Sequence, residues 1–333
     1  MKFLVVGLGS MGKRRIRNLM ALGEKEIAGF DIRADRRKEA VEKYGIRVYD
    51  GDLHHVIDLD RPDALIISTG PAEHMTVATI ACDHQLHCFI EASVTHADRV
   101  RQLADRTRGT ALVVAPSCTM LYYPGPQIVR RLIQQEAIGQ PLTFVYHTGQ
   151  YLPDWHPWED IQSYYVSKRD TGGCREIVPF ELTWLNAMFG TPAPLTSVVT
   201  KLSDIDADID DVYMFVLQYP RRLLGSVVIE VLSRPKATRE LRIVGTRGII
   251  VLSADENVVR YVTIDSEQWT RIPLHEGTKE RGYINPEEPY IAEMNDFRTA
   301  VRLKDPQQFP NSLLQDYEVL KILETIESLK TPV

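Results

Sequence analysis

The chain has 333 residues, 44% hydrophobic and 25% charged, too long for one ordinary hydrophobic core and unlike a disordered chain, a collagen-like repeat or a disulfide-stapled miniprotein. Its 39 Lys and Arg against 45 Asp and Glu give a formal charge of -6, the wrong sign for a nucleic-acid partner. No run approaches the ~20 apolar residues of a membrane span and the apolar start at residues 3–8 is too short for a signal peptide, so a cytoplasmic chain with four reduced cysteines is expected.

In chain order, short apolar runs at 2–6, 27–30, 64–68, 87–90 and 111–114 read as buried parallel strands. Helical patterns at 11–22, 35–44, 72–83 and 97–108 alternate with them, as in a doubly wound Rossmann domain. Pro, Gly, Ser and Tyr cluster at 116–126, which places a domain boundary near residue 120 and gives domains 1–120 and 121–333. The second domain opens with a helix at 127–135 and a strand at 142–148, followed by an irregular aromatic loop at 151–170 and a helix at 179–189. Strands follow at 195–201, 212–219, 225–232, 240–244, 249–252 and 258–264, and helices at 290–304 and 312–329 close the chain. The expected fold class is α/β, an N-terminal Rossmann parallel sheet plus a C-terminal α+β domain with a large, mostly antiparallel open sheet.

Gly7-Leu8-Gly9-Ser10-Met11-Gly12 fits G-x-G-x-x-G, directly after a strand and opening a helix. The first glycine permits the tight turn, the second lets backbone approach a pyrophosphate, and the third lets helix pack on strand. The N–H groups of the helix start, at Ser10 and Met11, then face the phosphates. Asp31 ends the second strand near the ~20-residue offset expected of a ribose-binding acid, which favours NAD. Arg33, Arg36 and Arg37 leave NADP open, since an arginine there can hold a 2′-phosphate; as a solvated helix start they leave NAD in front. Lys13, Arg14, Arg15 and Arg17 are expected to face phosphates or solvent.

With these residues in view, the chain resembles the glucose–fructose oxidoreductase/inositol dehydrogenase (Gfo/Idh/MocA) family over nearly its whole length. Thr69 to His74 is similar to that family's T-P-x-x-x-H stretch, and Glu91-Ala92-Ser93 stands where the family has Glu-Lys-Pro. Tyr290, Glu293 and Phe297 resemble its Y-x-x-E-x-x-x-F helix, and residues 312–316 its last-helix start. The resemblance implies NAD(P)-linked oxidation of sugars or polyols, with assembly as a homodimer or homotetramer through the C-terminal sheet. It also implies that Thr69 and His74 line the cofactor site. Glu91, at the carboxyl end of its strand, is expected near the nicotinamide ribose.

Two departures stand out. The family's catalytic lysine position is Ala92, and alignment on Gly190 puts Glu176, Val178, Phe180 and Thr183 on the family's Asp-x-Gly-x-His-x-x-Asp face, so the catalytic histidine position is Phe180. Losing a general acid/base costs ~10²–10⁴ in rate, so a working dehydrogenase needs a replacement. The loop from Tyr151 to Glu176 offers one: Tyr165 with Lys168, or His156, as the proton-transfer group. A neighbouring positive charge lowers a phenol pKa. Trp155 and Trp158 supply faces for a sugar, Arg175 a bidentate site for a substrate carboxylate or phosphate, and Glu176 a further substrate contact. Cys82-Asp83-His84-Gln85-Leu86-His87-Cys88 lacks paired ligand spacing, so no metal is expected. The expected function is NAD(P)-dependent oxidation or reduction of a sugar, polyol or sugar derivative, free or nucleotide-linked. The alternatives are an epimerase, lyase or hydrolase that uses bound NAD transiently, and a non-catalytic dinucleotide-binding regulator.

Overall fold

The computed structural model describes residues 1–156 and 159–330. The chain forms two compact units, Met1–Thr119 with Gly277–Tyr317, and Met120–Glu276 with the residues from Glu318 onward. The crossing at residue 120 is therefore only the first, because 277–317 return to the first unit.

The first unit runs β1 (Lys2–Val6), α1 (Ser10–Ala21), β2 (Glu26–Phe30), α2 (Ala34–Tyr44), β3 (Arg47–Tyr49), α3 (Leu53–Asp60) and β4 (Ala64–Ile67). It continues with α4 (His74–Asp83), β5 (His87–Ile90), α5 (Ala97–Thr107) and β6 (Val114–Pro116). These strands make a six-stranded parallel sheet in the order β3-β2-β1-β4-β5-β6. The order reverses between β1 and β4, the switch point where such sheets bind ligands. Phe3, Leu4, Leu65, Ile66 and Ile67 are fully buried, as central parallel strands covered on both faces must be.

Three features depart from the sequence expectation. The short β3 has too few residues to display a period, and α3 is set by Asp52, whose carboxylate accepts from His55 N at 2.8 Å. The sixth strand starts at Val114 instead of 111, because a turn absorbs Ala111 and Leu112. Gly109 sits there at φ +75°, and Leu112 N donates to Thr110 Oγ1 at 3.3 Å.

The second unit opens with α6 (Pro124–Gln134), β7 (Pro141–Gly149) and α7 (Cys174–Phe189). It then runs β8 (Ala193–Thr200), β9 (Val212–Gln218), β10 (Leu224–Glu230), β11 (Thr238–Gly245), β12 (Gly248–Ser253), β13 (Val258–Thr263) and β14 (Ser266–Pro273). The eight-stranded sheet has the order β14-β13-β12-β11-β7-β10-β9-β8. Its pairings are antiparallel except β7 with β10, which run parallel with Val145 opposite Ser226. Side chains alternate across the sheet. Phe144 and Tyr146 point to the α7 side, where Phe189 stacks on Phe144 at 5.2 Å and Trp184 meets Tyr146 edge-on at 5.5 Å. Val145 is exposed on the other side.

Helix α7 begins five residues before the expected 179. Pro179 lies inside it, and the start is set by Gly173 at φ +57°. Strand β14 escaped the sequence reading because it is a polar edge strand with almost no buried side chain. The chain closes with α8 (Glu288–Leu303), in the first unit, and α9 (Leu313–Ser328). Hydrogen bonds tie the return segment to α1: Asn18 Nδ2 donates to Glu287 at 2.9 Å and Arg298 donates to Leu22 O at 2.7 Å.

Candidate functional site

The glycine loop is built around backbone that tolerates no side chain. Gly7 has φ +91°, and a Cβ there would lie 2.5 Å from Ser68 O; a Cβ on Gly12 would lie 1.8 Å from Gly7 O. Only glycine lets α1 start this close to the end of β1. The helix opens at Ser10 with Gly9 as an N-cap that offers no side chain, and no acidic residue occupies its first turn. Its first N–H groups and partial positive charge are thus left for an anion. Tyr283 steadies this turn by donating to Ser10 O at 3.0 Å.

Asp31 is buried at the end of β2 and holds the loop in place. It accepts from Leu8 N at 2.7 Å and from Arg33 N at 2.8 Å. The three arginines beyond it divide. Arg33 is exposed and pairs with Asp35 at 2.6 Å, which holds Asp35 down to about 2. Arg37 donates to Asp31 O at 2.7 Å, and Arg36 lies 3.8 Å from the Asp31 carboxylate. These two are half-buried on Asp31, so the expectation of a solvated helix start holds for Arg33 alone.

The basic run after the loop, expected from sequence to face phosphates or solvent, is instead paired with carboxylates of the chain. Lys13 pairs with Glu39 at 2.8 Å, and Arg14 and Arg17 pair with Glu287 at 3.1 and 3.0 Å. Arg15 is fully buried between two carboxylates. It grips Glu91 through two bonds of 2.6 and 2.9 Å and reaches Glu293 at 2.9 Å. Burial opposes its charge, but the two acids hold it protonated. Glu293 also accepts from Ser117 Oγ, Cys118 N and Thr119 Oγ1. Burial lifts its pKa even with Arg15 beside it. Glu91, expected near the nicotinamide ribose, is thus the centre of an internal ion pair, with Ser68 Oγ as a further donor at 3.3 Å. Nearby, His74 Nε2 lies 3.1 Å from Thr69 O. A carbonyl can only accept, so Nε2 carries the proton. Burial depresses the His74 pKa, and the ring is neutral with Nδ1 as an acceptor lacking a partner among the described residues.

In the second unit the aromatic segment folds back on the start of α7. Gly172 makes this possible, since a Cβ there would sit 2.0 Å from Val166 O. Thr171 Oγ1 donates to Tyr165 O and Gly172 N to Lys168 O, both at 2.8 Å. The fold delivers the Tyr165 hydroxyl to Glu176 Oε1 at 2.7 Å. The expected Tyr165–Lys168 pair is not formed, because the phenol donates to this carboxylate while Lys168 is exposed. His156 stacks on Tyr164 with centroids 5.0 Å apart, and its Nδ1 is 3.5 Å from Glu159. Arg175, expected to bind a ligand anion, forks onto Glu327 at 2.7 and 3.3 Å and donates to Asp170 O. Trp155 has its indole N–H buried and without a partner among the described residues. Trp158 lies outside the described residues. Phe180 follows Glu176 by one turn of α7.

A glycine-cradled doubly wound parallel sheet and a unit built on an open eight-stranded sheet place the chain among two-unit proteins with a Rossmann-type domain. Residues 1–116 match the oxidoreductase family with an NAD-binding Rossmann fold, and residues 127–251 match the GFO/IDH/MocA C-terminal domain. The chain belongs to the Gfo/Idh/MocA family of oxidoreductases, and its residues 1–116 form that family's NAD-binding Rossmann domain. It is 29% identical over 143 residues to inositol 2-dehydrogenase of Salmonella paratyphi B, a match spanning 41% of this chain and 43% of that protein. Among solved structures, an oxidoreductase from Agrobacterium radiobacter in complex with NAD+, L-tartaric acid and magnesium has a TM-score of 0.83 at 15% identity, covering 97% of this chain and 94% of that one. Levoglucosan dehydrogenase in complex with NADH has a TM-score of 0.82 at 17% identity, covering 98% and 96%.

Proposed function

We propose that the chain is an NAD-dependent dehydrogenase of a sugar, polyol or sugar derivative. The observation that carries this reading is the glycine cradle closed by Asp31, in a chain whose family oxidises with NAD. In this reading the backbone of Gly7, Gly9, Ser10, Met11 and Gly12 receives the pyrophosphate. Asp31, already using one lone pair of each oxygen on backbone N–H groups, offers the others to the ribose hydroxyls and repels a 2′-phosphate. Thr69 and His74 line the nicotinamide side. When bound, NAD supplies the hydride acceptor, and the protein must supply position and a proton acceptor.

The second unit takes the substrate, with acid/base chemistry coming from the segment around 151–176 in place of Ala92 and Phe180. Inositol 2-dehydrogenase and levoglucosan dehydrogenase are named for a polyol and a sugar derivative, which supports the substrate class. The outer face of the large sheet, with Val145 at 53%, Met214 at 47% and Leu224 at 44% exposure, supports assembly of copies through it.

The test is incubation with NAD+ or NADP+ and a panel of polyols, aldoses and nucleotide-linked sugars, following absorbance of the reduced nicotinamide. Steady reduction with NAD+ on a member of the panel is the expected result. Conversion of a sugar without net reduction would favour transient redox chemistry, and tight NAD binding without chemistry on any substrate would favour a regulator.

A further inference from the structure

In the second unit, Glu176 is only half-buried as a residue, yet one of its carboxylate oxygens is buried and, unlike those of the buried Glu181 and Asp211, has no donor among the described residues. Glu181 accepts from Tyr146 at 2.6 Å, Trp184 at 2.8 Å and Arg239 at 2.6 Å. Asp211 accepts from Leu202 N, Ser203 N and Ser203 Oγ. Glu176 has Tyr165 on Oε1 at 2.7 Å, while Oε2 is buried with no hydrogen-bond partner among the described residues. A buried carboxylate oxygen without a donor is costly as an anion. It becomes favourable when a proton, or a group donating one, occupies the vacant lone pair. A structural carboxylate would be expected to resemble Glu181.

We infer that Glu176 Oε2 accepts the proton of the substrate hydroxyl, with Tyr165 as the positioning residue that holds Oε1 and fixes the carboxyl plane. The inference rests on the dehydrogenase reading above. In the oxidation direction the substrate O–H bond breaks and its proton comes to rest on Glu176 Oε2. The carbon's hydrogen leaves with its electron pair as hydride to oxidised nicotinamide, and the carbinol becomes a carbonyl. The carboxyl goes from -1 to neutral as the nicotinamide goes from +1 to neutral, so the two opposite charges disappear together. Reduction reverses each transfer.

The electrostatics agree with this geometry. Burial pushes Glu176 up to about 7, and the Tyr165 hydrogen bond only partly offsets that rise. A group titrating near neutrality both takes and returns a proton readily. The other ionisable groups around this cluster are Tyr164, whose phenol is driven up by burial and by Glu159 and Glu176, Glu159 itself, and His156, whose ring stacks on Tyr164 with its Nδ1 3.5 Å from Glu159. Tyr164 and Glu159 supply no positive charge to Glu176, and Glu159 is the acid within reach of His156. Tyr164 also packs edge-on against Tyr165 at 5.9 Å, which limits the freedom of the positioning phenol.

The test combines a titration of the cofactor-free protein with kinetics. Infrared difference spectra between pH 5 and 9 should show a protonated carboxyl band lost with a midpoint near 7. Glu176→Gln should remove that component. A second band from Asp316, which burial also lifts to about 7, should remain. Tyr165→Phe removes a stabiliser of the anion, so the Glu176 midpoint should move upward. With a substrate found in the panel, Glu176→Gln should lower kcat about 10²–10⁴-fold with KM little changed and flatten the acid limb of the pH profile. Glu176→Asp should restore part of the rate. Loss of no infrared band in Glu176→Gln, or wild-type kcat in that variant, overturns this inference alone. A folded wild-type protein that binds NAD but oxidises nothing overturns the dehydrogenase reading and this inference with it.

Discussion

Arg15→Met tests whether the buried ion-pair network supports the first unit. The substitution keeps an unbranched stem of similar reach but leaves Glu91 and Glu293 facing each other without their cation. Arg15 and Glu293 side chains are both 0% exposed, so water cannot replace the lost partner. Removing one member of a buried pair costs about 3–5 kcal/mol. For a unit of this size each kcal/mol moves Tm by about 2–4 °C, so the transition of the first unit should fall by about 6–20 °C at pH 8. The sign of the pH dependence follows from Glu293. Its folded pKa is raised even with Arg15 present, and losing Arg15 raises it further. A carboxyl whose folded pKa exceeds its unfolded value, about 4.3, carries no penalty below that value and an increasing one as pH rises through the folded pKa. The variant should therefore lose less stability at pH 5 than at pH 8. Calorimetry at both pH values, each against wild type, measures this. A drop under about 2 °C at pH 8, or an equal drop at both pH values, would refute the reasoning.

Three further outcomes follow from the same geometry. Gly12→Ala places a Cβ 1.8 Å from a backbone oxygen; NAD Kd by fluorescence titration should rise at least about tenfold, or about 1.4 kcal/mol. Asp31→Ser removes the acceptor of Leu8 N and the charge that opposes a 2′-phosphate. NAD affinity should fall about tenfold or more while NADP affinity holds or rises, both read by calorimetric titration. Val145→Glu puts a charge on the exposed side of β7, so light scattering should report smaller particles while Tm changes by about 1 kcal/mol equivalent or less.

The centre of the parallel sheet, β1, β2, β4 and β5, is legible because these strands are apolar runs of the length buried strands need, and the glycine loop because steric exclusion leaves one residue type possible. Where structure depends on a partner distant in sequence, the local pattern misleads. Pro179 looks like a helix start, yet α7 begins at Cys174 after a positive-φ glycine and keeps the proline inside. Residues 290–304 look like an element of the second domain by position alone. What returns them to the first unit is Glu287, which gathers Arg14, Arg17 and Asn18 across some 270 residues.

The same limit governs the candidate site, and it explains both what was found and what was misassigned. A basic run after a phosphate-binding loop suggests anion contacts, but charge on its own does not say whether its counter-ion is a ligand or a carboxylate of the chain. Here Glu39, Glu91, Glu287 and Glu293 pair with the charges of the run. The aromatic segment is dense in titratable groups in the sequence itself, yet the pairing inside it is not readable there. Tyr165 has Lys168 three residues away and Glu176 eleven away, and proximity in sequence favours the lysine. Gly172 decides otherwise, by admitting Val166 O against α7 and bringing the phenol to the acid. A glycine at that spacing before a helix carrying an acid in its first turn is the signal that was available. It indicates a segment folded tightly onto a helix start, where a phenol and a carboxylate can meet with little water between them.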